Sequence, residues 1–176
     1  SMDTQKRKIG FGFQDYALFP NMNVEQNLLY VQNDKVLCSK LLSMTGLSTL
    51  KNKLPETLSG GQKQRVSLCR AMMKKPKILL LDEALSSLDS EMRKKLQLDI
   101  LQMHQEFGMT TIMVSHDLSE IYRLASRVLI LKNGEIVDDG SPQEILLRKR
   151  GSEKFSFQGE ILEIVQVDTM YIALVA

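Results

Sequence analysis

Leu58-Ser59-Gly60-Gly61-Gln62 leads into a stretch whose apolar residues Val66, Cys69 and Met73 recur at helical spacing. A serine at the N-cap followed by two glycines leaves the first backbone amides of such a helix unobstructed, at the positive end of its dipole. That chemistry suits an anion and, in particular, a terminal phosphate. Taken alone, the same residues equally serve an ordinary capped helix after a turn. A second feature lies downstream. The apolar run Ile78 to Leu81 ends in Asp82 and Glu83. Two adjacent carboxylates at the carboxyl end of a strand can support a magnesium ion through water and accept a proton from an attacking water. Alone, they equally describe a strand followed by an acidic loop. His116 closes the β-branched run that starts at Thr110, in Ser115-His116-Asp117, and can touch a phosphate or serve as a polar end to a core strand. Gln14 ends an earlier alternating run and carries less information by itself.

These residues need elements to place them. Lys8 to Gln14 alternates as a strand does, and Asp15 to Asn23, with Pro20 inside it, reads as a loop. From about residue 24 to 57 the chain is a short helical region, with Leu37, Leu41 and Leu42 at helical spacing and Gly46 as a stop. The helix opened by Ser59 closes at Lys74, Lys75 and Pro76. Ile78 to Leu81, apolar without alternation, predicts a strand buried on both faces of a parallel sheet. Ser90 to Phe107 predicts a long amphipathic helix, with Leu96, Ile100, Met103 and Phe107 on one face and Gly108 behind it. Thr110 to His116 is a further strand. Arg127 to Asp138 predicts a hairpin with a type I′ turn at Asn133-Gly134, and Ser141-Pro142 opens a last helix. Phe155 to Ala176 is strand-like, with a turn near Asp168-Thr169.

Composition bounds the function. The 176 residues are 43% hydrophobic and 25% charged, with 23 basic and 21 acidic side chains and a net charge of +2. That is the balance of a globular domain and not of a nucleic-acid binder. The longest apolar run, Tyr171 to Ala176, is far too short to span a bilayer, so a membrane role has to come through a partner. The two cysteines, Cys38 and Cys69, make neither a disulfide scaffold nor a metal spacing, and read as reduced, half-buried core residues. Ser1-Met2 reads as a tag remnant.

The order of these features resembles the ATP-binding-cassette ATPases. Leu58 to Gln62 is similar to their signature motif, and Leu79 to Glu83 to the Walker B strand. Ser87-Leu88-Asp89 matches the D-loop, His116 the switch histidine and Phe13 to Pro20 the Q-loop. The spacings from Ser59 to Asp82 and from Glu83 to His116 also fit, and the resemblance covers roughly residues 7 to 150. It implies an α/β fold: a truncated P-loop NTPase-like core over residues 1–150, with a helical subdomain at about 15–75. The start of a small β domain would follow at 151–176. It implies ATP and Mg²⁺ as cofactors. Glu83 would be the catalytic base, His116 and Gln14 its catalytic companions, and Asp82 and Gln14 the metal-side ligands. Ser59, Gly60, Gly61, Gln62 and Asp89 would face nucleotide held by a second subunit.

Two departures stand out. Ala84 occupies the position where this family usually has proline, and no G-x-x-x-x-G-K-[ST] occurs in the chain. The 176 residues alone are therefore expected to be inactive. The implied function is the ATP-binding subunit of an importer. Its partners would be a second ATPase subunit, integral membrane permease subunits and, indirectly, a solute-binding protein. It would lie in the cytoplasm on the inner face of the membrane. Phe155 to Ile164 resembles the accessory domain of molybdate-type importers, with polyamine or ferric iron as the next solutes. Tyr16 and Phe19 would line the groove for a permease helix, or else pack in the core. The alternative class is a non-catalytic module that donates its signature motif to a partner ATPase.

Overall fold

The computed structural model describes residues 8–12, 16–86, 88–145, 161–167 and 170–175. Two compact units divide the chain, residues 1–124 and 125–176. The boundary expected near residue 150 lies outside the described residues, as does the turn expected at Asp168-Thr169.

In the first unit, three parallel strands form a sheet in the order β1 (Ile9–Gly12), β2 (Ile78–Asp82), β3 (Thr110–Val114). Among the described residues five α-helices accompany them, besides two short 3-10 turns: α1 (Val24–Leu29), α2 (Lys35–Met44), α3 (Gly60–Met72), α4 (Ser90–Phe107) and α5 (Leu118–Leu124). Local chemistry starts these helices, and α3 and α4 begin where the sequence reading places them. Asn23 and Ser59 each form a reciprocal capping box with the glutamine three residues on, and Asp34 and Asp89 accept amides of the first turn. Gly46 (φ 67°) and Gly108 (φ 60°) follow the ends of α2 and α4.

The core lies between the helices and one sheet face. Val24, Leu28, Leu41, Val66, Met72 and Leu79 are each fully buried. Each such side chain contributes about 1.5–3 kcal/mol relative to exposure. Helix α3 reaches the sheet closely because Gly10 has no side chain. A Cβ there would lie 2.8 Å from the Ala71 carbonyl oxygen.

Three expectations are corrected. Strand β2 is not buried on both faces. Leu79 and Leu81 face the core, but Ile78 and Leu80 are half-buried, and on the same face Ile112 and Val114 are more than half exposed. An apolar run shows that a strand can be covered twice, and does not supply the second layer. Strand β3 ends at Val114, two residues before His116, because Ser115 and Asp117 turn their polar groups to the start of α5. The cysteines are fully buried and not half-buried. Strand β1 is described over Ile9–Gly12, and Phe13 to Asp15 lie outside the described residues.

In the second unit, β4 (Val128–Lys132) and β5 (Glu135–Gly140) form the expected hairpin. Asn133 (φ 52°) and Gly134 (φ 82°) both adopt the positive φ of a type I′ turn. Residues 142–145 form one helical turn. Strands β6 (Ile161–Val167) and β7 (Met170–Val175) pair antiparallel, in keeping with the strand-like reading of this segment.

Burial pushes the Cys69 thiol up to about 12 and the Cys38 thiol up to about 11. Neither is a nucleophile at neutral pH. A thiol reagent is therefore expected to find no reactive cysteine in the native protein at pH 8 and two after denaturation. Rapid native labelling of either would contradict this packing.

Candidate functional site

Asp82 is the last residue of β2, at the carboxyl edge of the parallel sheet, and is exposed. At Glu83 the chain leaves the sheet in a left-handed conformation (φ 44°). Such a conformation costs a non-glycine residue on the order of 1–3 kcal/mol, and surrounding bonds hold it. The Glu83 amide donates to the Val114 carbonyl (3.1 Å), and the Ser86 amide and hydroxyl donate to the Glu83 carbonyl (3.1 and 2.8 Å). Ala84 and Leu85 anchor the turn in the core.

His116 lies on the loop between β3 and α5. Its Nδ1 is 3.3 Å from Glu83 Oε1, although the two residues are 33 apart in sequence. Both side chains reach solvent, at 77% and 40% exposure, so a water or phosphate can approach the pair. The loop is stiffened around the histidine. Asp117 Oδ1 accepts from the Ser119 hydroxyl and from the amides of Ser119 and Glu120, and Oδ2 accepts from Arg93 Nη1 (2.8 Å). The Ser119 hydroxyl first, then these amides and the nearby guanidinium, hold the Asp117 carboxyl below its usual range despite some desolvation.

The second set of predicted residues lies at the start of α3. Ser59 and Gly60 are exposed, and Gly61 is buried. The Ser59 hydroxyl accepts the Gln62 amide (3.3 Å), and Gln62 Oε1 accepts the Ser59 amide (2.9 Å). Gln62 thus has a structural task, folding back on the cap. The first intrahelical bond runs from the Lys63 amide to the Ser59 carbonyl, so the Gly60 and Gly61 amides precede the helical ladder. At the second glycine the Met92 side chain leaves little room. A Cβ on Gly61 would lie 2.5 Å from Met92 Sδ. A cleft of about 150 Å³ opens here between Ser59, Gln62, Arg65, Met92 and Lys95.

One element touches both sets. Asp89 caps α4, its Oδ1 accepting the Glu91 and Met92 amides (3.0 and 2.9 Å). Met92 then lines the cleft at Ser59, while Arg93 lines a smaller one with Glu83 and His116. The ion pair Arg65–Asp99 (2.9 Å) fixes α3 on α4. Burial raises the Asp99 carboxyl above its usual range, and Arg65 opposes that shift.

Near the expected groove, Tyr16 (φ 55°) and Ala17 (φ 47°) are both left-handed, and Arg70 donates to their carbonyls (3.3 and 2.6 Å). Asn27, wholly buried, accepts the Phe19 amide and donates to the carbonyls of Phe19, Met22 and Asn23. Phe19 is partly exposed, edge-on to Tyr30 (4.7 Å) and beneath Arg70 (5.4 Å). It is therefore no core residue. Gln14 lies outside the described residues. The sequence reading missed Arg93, Arg65, Asp99 and Asn27. The only signal for any of them is position, since Arg93 falls one turn after the Asp89 cap.

Among the described residues no three metal-ligating side chains converge, and any cation here would find only supporting ligands among them. The exposed Asp82 carboxylate fits that supporting role, and the free helix start at Gly60 fits an anion.

Residues 1–86 match the family described as ABC transporter. The spermidine/putrescine import ATP-binding protein PotA of Aliivibrio fischeri is 38% identical over 169 residues, covering 92% of this chain and 45% of that protein. The probable sulfate/thiosulfate import ATP-binding protein CysA of Chlorella vulgaris is 42% identical over 152 residues, covering 82% of this chain and 64% of that protein. Among solved structures, cbiO1 from Clostridium perfringens, part of the ABC transporter complex cbiONQ, superposes with a TM-score of 0.74 at 29% identity. The match covers 82% of this chain and 61% of that one, and the two share the α/β ABC ATPase fold. The chain thus spans about half to two thirds of the length of these proteins.

Exchanging Gly61 for alanine is expected to lower unfolding stability by about 1–3 kcal/mol through overpacking against Met92. Met92→Ala in the same chain is expected to return part of that loss. Urea unfolding of both single variants and the double variant measures it, and an unaffected G61A would contradict the contact.

Proposed function

This chain belongs to the ABC transporter family, and on that premise we propose that it is part of the ATP-binding subunit of an importer, coupling ATP hydrolysis to solute movement through separate permease subunits. The observation that carries the hydrolytic part is the contact between Glu83 and His116 at the carboxyl edge of the sheet, open to solvent on one side. Glu83 accepts a proton from the attacking water, and His116 holds the pair in place and faces the phosphate. Asp82 supports Mg²⁺, and Gln14 takes the role the resemblance implies for it, as a metal-side ligand. Bound MgATP supplies the electrophilic phosphorus and the charge that the cation neutralises.

The Ser59-Gly60 start of α3 is open to solvent and has uncommitted amides at Gly60 and Gly61, which supports a role in binding the terminal phosphate of nucleotide held by a second copy. Asp89, as cap of α4, sets the geometry between the two clefts and lies toward that second copy. Gln62 contributes by holding the Ser59 cap.

Among the described residues no helix is long and apolar enough to cross a membrane, so attachment to the membrane is assigned to the permease contact. The loop around Phe19 and Tyr30, braced by Asn27 and Arg70, is the surface proposed for it. The relatives' names include both a polycation and an oxyanion as solute, so the similarity does not single out one solute. Neither name is molybdate, and that finer assignment stands without support.

The expected outcome for Glu83→Gln in the full-length subunit is a fall in kcat of roughly 10²–10⁴-fold with ATP binding retained. Steady-state hydrolysis and equilibrium nucleotide binding read the two separately. The isolated 176 residues, which carry no P-loop motif, are expected to show no turnover. An E83Q subunit hydrolysing within twofold of wild type would contradict the assignment.

A further inference from the structure

His116 is held by a bracket that lies outside the signature, Walker B and switch motifs. Arg93, one turn into α4, divides its guanidinium among three acceptors. Nη2 donates to the Leu88 carbonyl (3.2 Å), Nη1 to Asp117 Oδ2 (2.8 Å), and Nε lies 3.6 Å from Glu120 Oε1. Nε is buried without a hydrogen-bond partner, so its link to Glu120 is one of charge. Glu120 is 4% exposed, and its other oxygen accepts the Ser115 hydroxyl (2.7 Å), which in turn accepts the Asp117 amide (3.1 Å). The residues on both sides of His116 are therefore tied to one guanidinium.

The same guanidinium holds the other half of the pair. The turn from Glu83 to Leu88 is closed by Ser86 on the Glu83 carbonyl and by the Leu88 amide on the Leu85 carbonyl. Glu83, this turn, Arg93, Asp117 and His116 thus form a ring, completed by the 3.3 Å contact between His116 and Glu83. A planar fork suits three acceptors at fixed angles, whereas an ammonium reaches fewer of them.

We propose that Arg93 is a positioning residue for the hydrolytic pair: by joining the Leu88 carbonyl to the Asp117 carboxylate it sets the distance and orientation of His116 to Glu83. The proposal rests on the hydrolytic reading above. It places Arg93 beside Asp89, so a partner that shifts the Leu88–Asp89 segment also shifts His116.

The test uses the full-length subunit with wild type, E83Q, R93M, R93K, D117N and R93M/D117N. Misplacement of a catalytic group is expected to lower kcat by about 10- to 100-fold in R93M, with KM for ATP within about twofold. R93K is expected to recover part of the rate. Because both single changes open the same ring, the double variant is expected to be no slower than the slower single variant. If R93M fails to fold, D117N decides by the same kcat and KM criteria. A purely structural role lowers the melting temperature and leaves kcat per folded subunit unchanged, and that result overturns the proposal, as does multiplicative loss in the double variant. If wild type itself hydrolyses no ATP, or E83Q remains active, the hydrolytic reading fails. If those controls behave and R93M and D117N keep kcat within twofold of wild type, only the role of Arg93 fails.

Discussion

The in-register parallel pairing of β2 with β3 is the constraint on which the rest depends. It places Asp82 opposite Val114, and the Glu83 amide continues the ladder by donating to the Val114 carbonyl. Two residues far apart in the chain thereby leave the same sheet edge side by side. Without that register, Glu83 and His116 have no reason to meet. With it, only short loops remain to be specified, and the polar groups of Ser86, Asp117 and Ser119 specify them. The left-handed Glu83 is the local cost of turning a carboxylate out of a strand whose preceding residues are held in the core.

Helix α4 gives the site its second dimension. Its cap, Asp89, orders the first turn, and consecutive residues of that turn look in different directions. Met92 presses on the glycine at the start of α3, and Arg93 reaches the loop of His116. The Arg65–Asp99 pair, mostly removed from solvent, then fixes the two helices against each other. Breaking such a pair by removing one partner is costly because it leaves an uncompensated charge. It therefore holds the register of the Ser59 helix start relative to the acid–histidine edge.

Much of this arrangement is legible in the sequence, for physical reasons. Ser59 and Gln62, like Asn23 and Gln26, spell out capping boxes, so helix starts are local information. Asn133-Gly134 determines its own turn. The carboxyl edge follows from an apolar run that ends in acids. The error over β2 is non-local. Ile78 to Leu81 has the composition for burial on two sides, but the second covering layer is not a property of the strand. Gln62 Oε1 accepts the Ser59 amide, a local contact that the capping-box spacing already spells out. Arg93, Glu120 and Asn27 are single polar residues inside helices, indistinguishable in sequence from solvated ones until their acceptors, brought close by the fold, are located.

The central claim is that the open start of α3 and the acid–histidine edge act on one nucleotide across two copies of the subunit. Sedimentation velocity of full-length E83Q, with and without MgATP, beside the double variant S59R/E83Q, tests it most directly. MgATP is expected to convert E83Q from monomer to dimer, while S59R/E83Q binds ATP and stays monomeric. Dimerisation of S59R/E83Q to the same extent, or an ATP-saturated E83Q that remains monomeric, would contradict it.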